Sequence, residues 1–212
     1  VGEPGVGKTS LAHGLAARIT AASELSPLDD RIVVEIPVAD LIAGTGVRGA
    51  LAERIGTLRK EVQASAGRVV LFFDEIHQLF AGDAAEELGT ELKTALARGE
   101  LPCVGTSTPE EYRRTIESDP ALCRRFSRID VEEPSREDAF LILSAVCEKL
   151  SAHHGVSYDM DALALSVNWS VRYLPGQALP DKAVSVADLA GARTRRRGHA
   201  EVGIEAVAEV VS

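Results

Sequence analysis

The chain opens on Val1-Gly2-Glu3-Pro4-Gly5-Val6-Gly7-Lys8-Thr9, a match to G-x-x-x-x-G-K-[ST]. No other stretch constrains the fold as strongly, because the pattern works only as a loop between a strand and a helix. Gly2, Gly5 and Gly7 allow the backbone to curl until successive N–H groups face the oxygens of a phosphate. Lys8 adds a compact positive charge for the outer phosphates, and Thr9 offers a hydroxyl to Mg²⁺. The helix expected from Lys8 to about Ile19 points its positive dipole end at the same anions. The motif starts at the second residue, so the chain is expected to be a piece of a longer protein.

The second constraint is Val69-Val70-Leu71-Phe72-Phe73-Asp74-Glu75. Five consecutive apolar residues predict a central parallel strand covered on both faces. Its two carboxylates then fall at the carboxyl end of the strand, where ligands bind in open α/β sheets. Asp74 is expected to hold Mg²⁺, and Glu75 to act as general base on the attacking water. The phosphate loop followed by this strand, in that order, predicts a site for a nucleotide with Mg²⁺.

Other elements follow from pattern. Arg31 to Ile36 reads as a short buried strand, and 43–49 as a glycine-rich loop. Leu51, Ile55, Leu58 and Val62 recur at helical spacing and are read as core. A helix is expected from Ala84 to Arg98, with Asp83 as cap and Gly99 as stop. Leu101 to Gly105 reads as a strand running into Thr106-Ser107-Thr108. That cluster either contacts the lytic water or γ-phosphate, or caps the helix beginning at Pro109. Arg124-Arg125 is either solvated surface or an arginine finger, ahead of a last strand expected from Arg128 to Val131. After Pro134 strands are expected to stop. Helices are predicted over about Arg136 to Ala152, Asp159 to Trp169 and Pro180 to Arg193. The fold class is therefore an α/β nucleotide-binding domain over 1–134, a parallel sheet flanked by helices, followed by a small helical domain over 135–212.

Composition narrows the partners. A net charge of −9 and 4% aromatic residues argue against nucleic acid as ligand. No apolar run reaches membrane-spanning length and no signal peptide is visible. Three cysteines without a C-x-x-C pair fit a reducing, cytoplasmic setting. His153-His154 lacks partners at metal spacing and reads as a surface pair. The run Arg193 to Arg197 reads as a helix end, where positive charge suits the dipole.

Together the phosphate loop, Phe73-Asp74-Glu75-Ile76-His77, the run Leu92 to Leu101 and Leu179-Pro180-Asp181-Lys182-Ala183 resemble the first ATPase module of the Clp-type AAA+ chaperones, the ClpA, ClpB, ClpC and ClpV group. The resemblance covers essentially the whole chain and implies a P-loop AAA+ module with a helical lid. It implies ATP contacts over Gly2, Glu3, Pro4, Gly5, Val6, Gly7, Lys8, Thr9 and Ser10. It implies that Thr108 reads the γ-phosphate and that Arg124 and Arg125 are fingers for a neighbouring subunit. The functional unit would then be a homo-oligomeric ring, typically a hexamer, acting on protein substrates. Two departures stand out. Val47 occupies the pore-loop position where threading relatives usually carry tyrosine, and Gly46 to Gly49 resembles instead ClpV, which dismantles contracted type VI secretion sheaths. Gln177 stands where relatives often have arginine. Those departures also motivate an alternative, a nucleotide-regulated assembly switch that threads nothing.

Overall fold

A computed structural model describes residues 1–21, 30–42, 50–80, 92–96 and 98–211. The chain divides into two compact units, one of Val1 with Lys8–Asp130 and one of Gly2–Gly7 with Val131–Ser212.

The first unit is built on a three-stranded parallel sheet in the order β1-β2-β3, with β1 Ile32–Glu35, β2 Val69–Phe73 and β3 Cys103–Gly105. The apolar run forms β2, which takes the central position because it alone can be buried on both faces; Leu71, Phe72 and Phe73 are all buried. Helices α1 (Lys8–Ala21), α2 (Val38–Ile42) and α3 (Ala50–Ala64) precede β2 or link it to its neighbours. On α3, Ile55 and Val62 are buried and Leu58 packs beside them, as their spacing requires. Residues 92–96 are helical (α4), with Leu92, Ala95 and Leu96 in the same core. Gly99 ends this helix with φ +70°, and its N–H donates to the Leu96 carbonyl at 2.9 Å. The proposed cap Asp83 and the loop carrying Val47 lie outside the described residues.

Beyond β3 come α5 (Pro109–Tyr112), a π-helical turn (Arg113–Glu117) and α6 (Pro120–Cys123). The strand expected from Arg128 to Val131 is not formed, a correction to the sequence reading. A strand needs a ladder, and this segment joins none of β1, β2 or β3. Its Ile129 carbonyl accepts from the Val1 amine at 2.7 Å, while Arg128 lies 5.2 Å from the centre of the Tyr112 ring and pairs with Asp130.

The second unit holds α7 (Arg136–His154), α8 (Met160–Tyr173), α9 (Asp181–Arg196) and α10 (Ile204–Val211). Ser135 caps α7 by accepting from the Asp138 amide, and Gly155 closes it at φ +68°. The expectation that strands stop after Pro134 is corrected by β4 (Ser157–Tyr158) and β5 (Glu201–Val202), which pair in parallel. At two residues each they are too short to leave a period-2 pattern. Helix α9 is the axis: Ala183, Val186, Ala187, Ala190 and Thr194 form its buried face. Small side chains there let α7, α8 and α10 approach closely. Its basic end closes the helix as expected, and Arg197 there is paired to Glu209 of α10 at 2.7 Å. His154 is not a surface residue; its Nε2 meets Asp188 Oδ1 at 2.7 Å.

Lys182 is 4% exposed, and its Nζ lies 3.0 Å from Glu133 Oε1 and donates to the Gln177 carbonyl at 3.0 Å. Glu133 Oε1 also accepts from the Leu179 amide at 2.7 Å. That amide, and then Lys182, hold the Glu133 carboxyl below its ordinary range against the opposing effect of burial. Because the unfolded chain then takes up the proton first, this contribution is present above the unfolded value and is lost as pH falls through the folded one. Glu133→Gln is expected to destabilise the second unit by about 1–3 kcal/mol at neutral pH. Its deficit against the unsubstituted protein should shrink below about pH 4.3, where the unfolded carboxyl protonates. The single tryptophan, Trp169, lies in this unit, so its fluorescence during denaturation reports the change.

Candidate nucleotide site

The phosphate-loop sequence is continuous through Gly7–Lys8. In the loop, Gly5 and Gly7 have φ of +86° and +95°, a conformation that turns backbone N–H groups inward and that side chains resist. Gly5 is also required sterically. Its carbonyl accepts from the Asp181 amide at 3.3 Å, and a Cβ at Gly5 would lie 2.7 Å from the Asp181 Cβ. The first turn of α9 thus lies directly against the loop. Proximity of the Leu-Pro-Asp-Lys motif to the glycines is something spacing could not show.

Lys8 and Thr9 open α1. Thr9 Oγ1 reaches both oxygens of Asp74, at 3.1 and 3.0 Å, across a separation of 65 residues. Asp74 and Glu75 follow β2 directly, as the sequence predicts. A third group completes the cluster. Thr106 Oγ1 donates to Asp74 Oδ1 and accepts from the Glu75 amide at 2.9 Å. Backbone bonds reinforce it: the Thr106 amide donates to the Phe73 carbonyl at 3.1 Å, and the Ile76 amide donates to the Thr106 carbonyl at 2.9 Å. Gly105 makes this approach possible, since a Cβ there would fall 2.8 Å from Ile76 side-chain carbons.

Glu75 has φ +52°, left-handed for a residue with a side chain. Such a conformation costs of order 1–2 kcal/mol and persists where surrounding bonds hold it. Here the Thr106 hydroxyl on its N–H does so. The carboxylate is exposed, with Oε2 accepting from Gln78 Nε2.

Of the three polar residues after β3, the structure gives each a separate partner. Thr106 holds Asp74 and Glu75, Ser107 Oγ lies 3.2 Å from His77 Nδ1, and Thr108 Oγ1 accepts from the Glu111 amide at 3.2 Å as cap of α5. Thr106 was missed as a site residue. The available signal was its place immediately after the strand end, one residue beyond Gly105. Arg124 and Arg125 are exposed on the turn closing α6 and are not among the partners shown for Asp74, which are Thr9 and Thr106.

A hydroxyl and a carboxylate presented together are the hard oxygen donors that Mg²⁺ takes, and a glycine loop with two left-handed residues suits a polyphosphate. The residues present therefore fit Mg²⁺ with a nucleoside triphosphate. Among the described residues no group of three His, Cys, Asp or Glu side chains forms another metal site, and no helix is long and apolar enough to cross a membrane.

Fold and site define a P-loop nucleotide-binding module followed by a helical lid. Residues 1–134 match the family described as "ATPase family associated with various cellular activities (AAA)", and residues 135–211 match "AAA lid domain". The chain belongs to the AAA family of ATPases. Within it, the similarity is to Clp-type chaperones. The chain is 43% identical over 198 residues to chaperone protein ClpB 2 of Nostoc sp., covering 92% of this chain and 23% of that protein. It is 43% identical over 209 residues to the chloroplastic chaperone protein ClpC2 of Arabidopsis thaliana, covering 97% of this chain and 22% of that protein. A closed-state structure of Hsp104 with ATPγS and FITC casein superposes with TM-score 0.90 at 36% identity, over 99% of this chain and 37% of that one. The chain thus spans roughly a quarter of the length of the curated relatives it matches.

Thr106→Val removes the acceptor for the Glu75 amide and the donor to Asp74. The Glu75 amide is expected to exchange with solvent about tenfold faster or more in native-state hydrogen exchange, since an orphaned buried partner costs about 1–3 kcal/mol. Thr108→Val should leave that amide unchanged.

Proposed function

We propose that this chain is the ATP-binding and ATP-hydrolysing module of a ring-forming, Clp-type protein remodeller. One observation carries the reading: Thr9 and Thr106 hold Asp74 at the end of β2, next to a Glu75 whose backbone is locked in the left-handed region. Glu75 is then fixed at its Cα while its carboxylate stays open to solvent, the arrangement a base for water needs.

In this reading the Gly5 and Gly7 backbone cradles the phosphates of ATP, and Lys8 neutralises the outer ones. Thr9 and Asp74 are the residues that would hold Mg²⁺. When bound, Mg²⁺ neutralises charge on the phosphate oxygens and orients them for in-line attack. A Glu75 carboxylate oxygen accepts the proton of the attacking water. Thr106 sets the direction of Glu75 through its amide, and Thr108 lies two residues further on as the γ-phosphate reader that the family resemblance implies. Arg124 and Arg125 act on the nucleotide of a neighbouring protomer, which makes the ring, a hexamer by the same resemblance, the active unit.

The Hsp104 structure with ATPγS and FITC casein supports a protein chain as substrate. Dismantling of type VI secretion sheaths is the finer reading. It is supported by the residues 46–49, which lie outside the described residues, while the relatives above are ClpB, ClpC and Hsp104.

The test is ATP turnover in the full-length protein. Glu75→Gln is expected to bind ATP normally and hydrolyse it at least about a hundredfold more slowly, the usual range for losing a general base. Turnover per protomer should rise with protein concentration and collapse in Arg125→Ala. Near-normal hydrolysis in Glu75→Gln would remove that residue from the mechanism. Flat, near-zero turnover despite tight ATP binding would put a nucleotide-regulated scaffold in place of the motor.

A further inference from the structure

Arg124 and Arg125 sit on the closing turn of α6, which is only four residues long. A helix so short has almost no cooperativity of its own, so its direction is set by what holds its ends. The downstream end is anchored by packing. Leu122 is fully buried, its carbonyl accepts from the amides of Arg125 at 2.8 Å and Phe126 at 3.1 Å, and Phe126 packs on the same core.

The upstream end depends on Asp119. Its Oδ1 accepts from the amides of Ala121 and Leu122, at 2.9 and 3.4 Å, as the N-terminal cap of α6. Its Oδ2 lies 2.9 Å from Lys93 Nζ. Each oxygen of one carboxylate therefore has a separate task, and Lys93 selects the rotamer in which the other oxygen can cap. The backbone that carries Lys93 is anchored, because its neighbours Leu92, Ala95 and Leu96 on α4 are buried. The ammonium is also what chiefly keeps the Asp119 carboxyl below its ordinary range. A π-helical turn, Arg113–Glu117, precedes this cap. It leads into Asp119, whose amide reaches the Ile116 carbonyl at 3.2 Å.

We propose that Lys93 is a positioning residue for the Arg124–Arg125 pair, acting through Asp119. The inference rests on the finger role proposed above. The Lys93 and Asp119 side chains are 37% and 24% exposed, and ion pairs so open contribute little to global stability. The effect of Lys93 is on where α6 points, and through it on where the two guanidinium groups are presented. An error of about 1 Å in such placement costs up to about a hundredfold in rate.

The experiment measures steady-state ATP hydrolysis and binding of a fluorescent ATP analogue by the full-length protein. Lys93→Met removes the cation. Asp119→Asn keeps a capping oxygen and removes the charge that Lys93 recognises. Both are expected to lower kcat about tenfold, with KM and analogue affinity unchanged, and Lys93→Arg is expected to restore most of the rate. Added to Arg124→Ala/Arg125→Ala, Lys93→Met should cause no further loss, because its effect is exerted through the arginines. Full turnover in Lys93→Met, weakened analogue binding, or losses that multiply with those of the arginine variant would each overturn the proposal. If the arginine variant itself keeps its turnover, the finger reading fails. If that variant loses turnover while Lys93→Met keeps it, only the role of Lys93 fails.

Discussion

A carboxylate at the end of a buried strand is a liability unless its surroundings supply hydrogen bonds, and in the first unit Asp74 gathers the structure around that need. Phe72 and Phe73 draw β2 into the core, leaving Asp74 at the point where the apolar run stops. Its oxygens are met by Thr9 from α1 and Thr106 from the segment after β3. The same Thr106 hydroxyl takes the Glu75 amide, which is what stabilises a left-handed glutamate. Remove either hydroxyl and a partly buried polar atom loses a hydrogen-bond partner.

A comparable economy governs the second unit. Lys182 is buried with its charge, and it is tolerated because Glu133 and the Gln177 carbonyl meet it. Glu133 also takes the Leu179 amide, so one carboxylate ties the segment entering the unit to the start of α9. Asp181, the first residue of α9, donates its amide to the Gly5 carbonyl. Gln177 thus contributes through its backbone, and its side chain is exposed.

Much of the fold was legible. The phosphate-loop pattern, the apolar run ending in two carboxylates and the periodicity of residues 51–62 each carry a strong local signal, and the corresponding elements lie where the patterns place them. The misses share a cause. Arg128 to Val131 has the composition of a strand, but strand formation depends on a partner, and that is not a local property. β4 and β5 exist only because two dipeptides paired 44 positions apart in the chain, Ser157 with Glu201 and Tyr158 with Val202, lie side by side. Within Thr106-Ser107-Thr108 all three residues have a hydroxyl, so chemistry alone could not separate the residue that holds the carboxylates from the one that caps α5. The His154 partner, Asp188, lies 34 residues away on another helix and was equally invisible.

The sequence by itself determined the class of chemistry. Glycines that permit left-handed turns, a lysine and threonine opening a helix, and a strand ending in Asp-Glu are the local pattern of a nucleotide-binding loop, carried by stereochemistry and residue type. Tertiary structure decided which side chains serve which partner: Thr106 on Asp74 and Glu75, Asp181 against Gly5, Lys182 in the grip of Glu133, and Lys93 on the cap of the helix that presents Arg124 and Arg125. These contacts join residues far apart in the chain. They follow from how the elements pack, and packing is a property of the whole core that no single stretch of sequence contains.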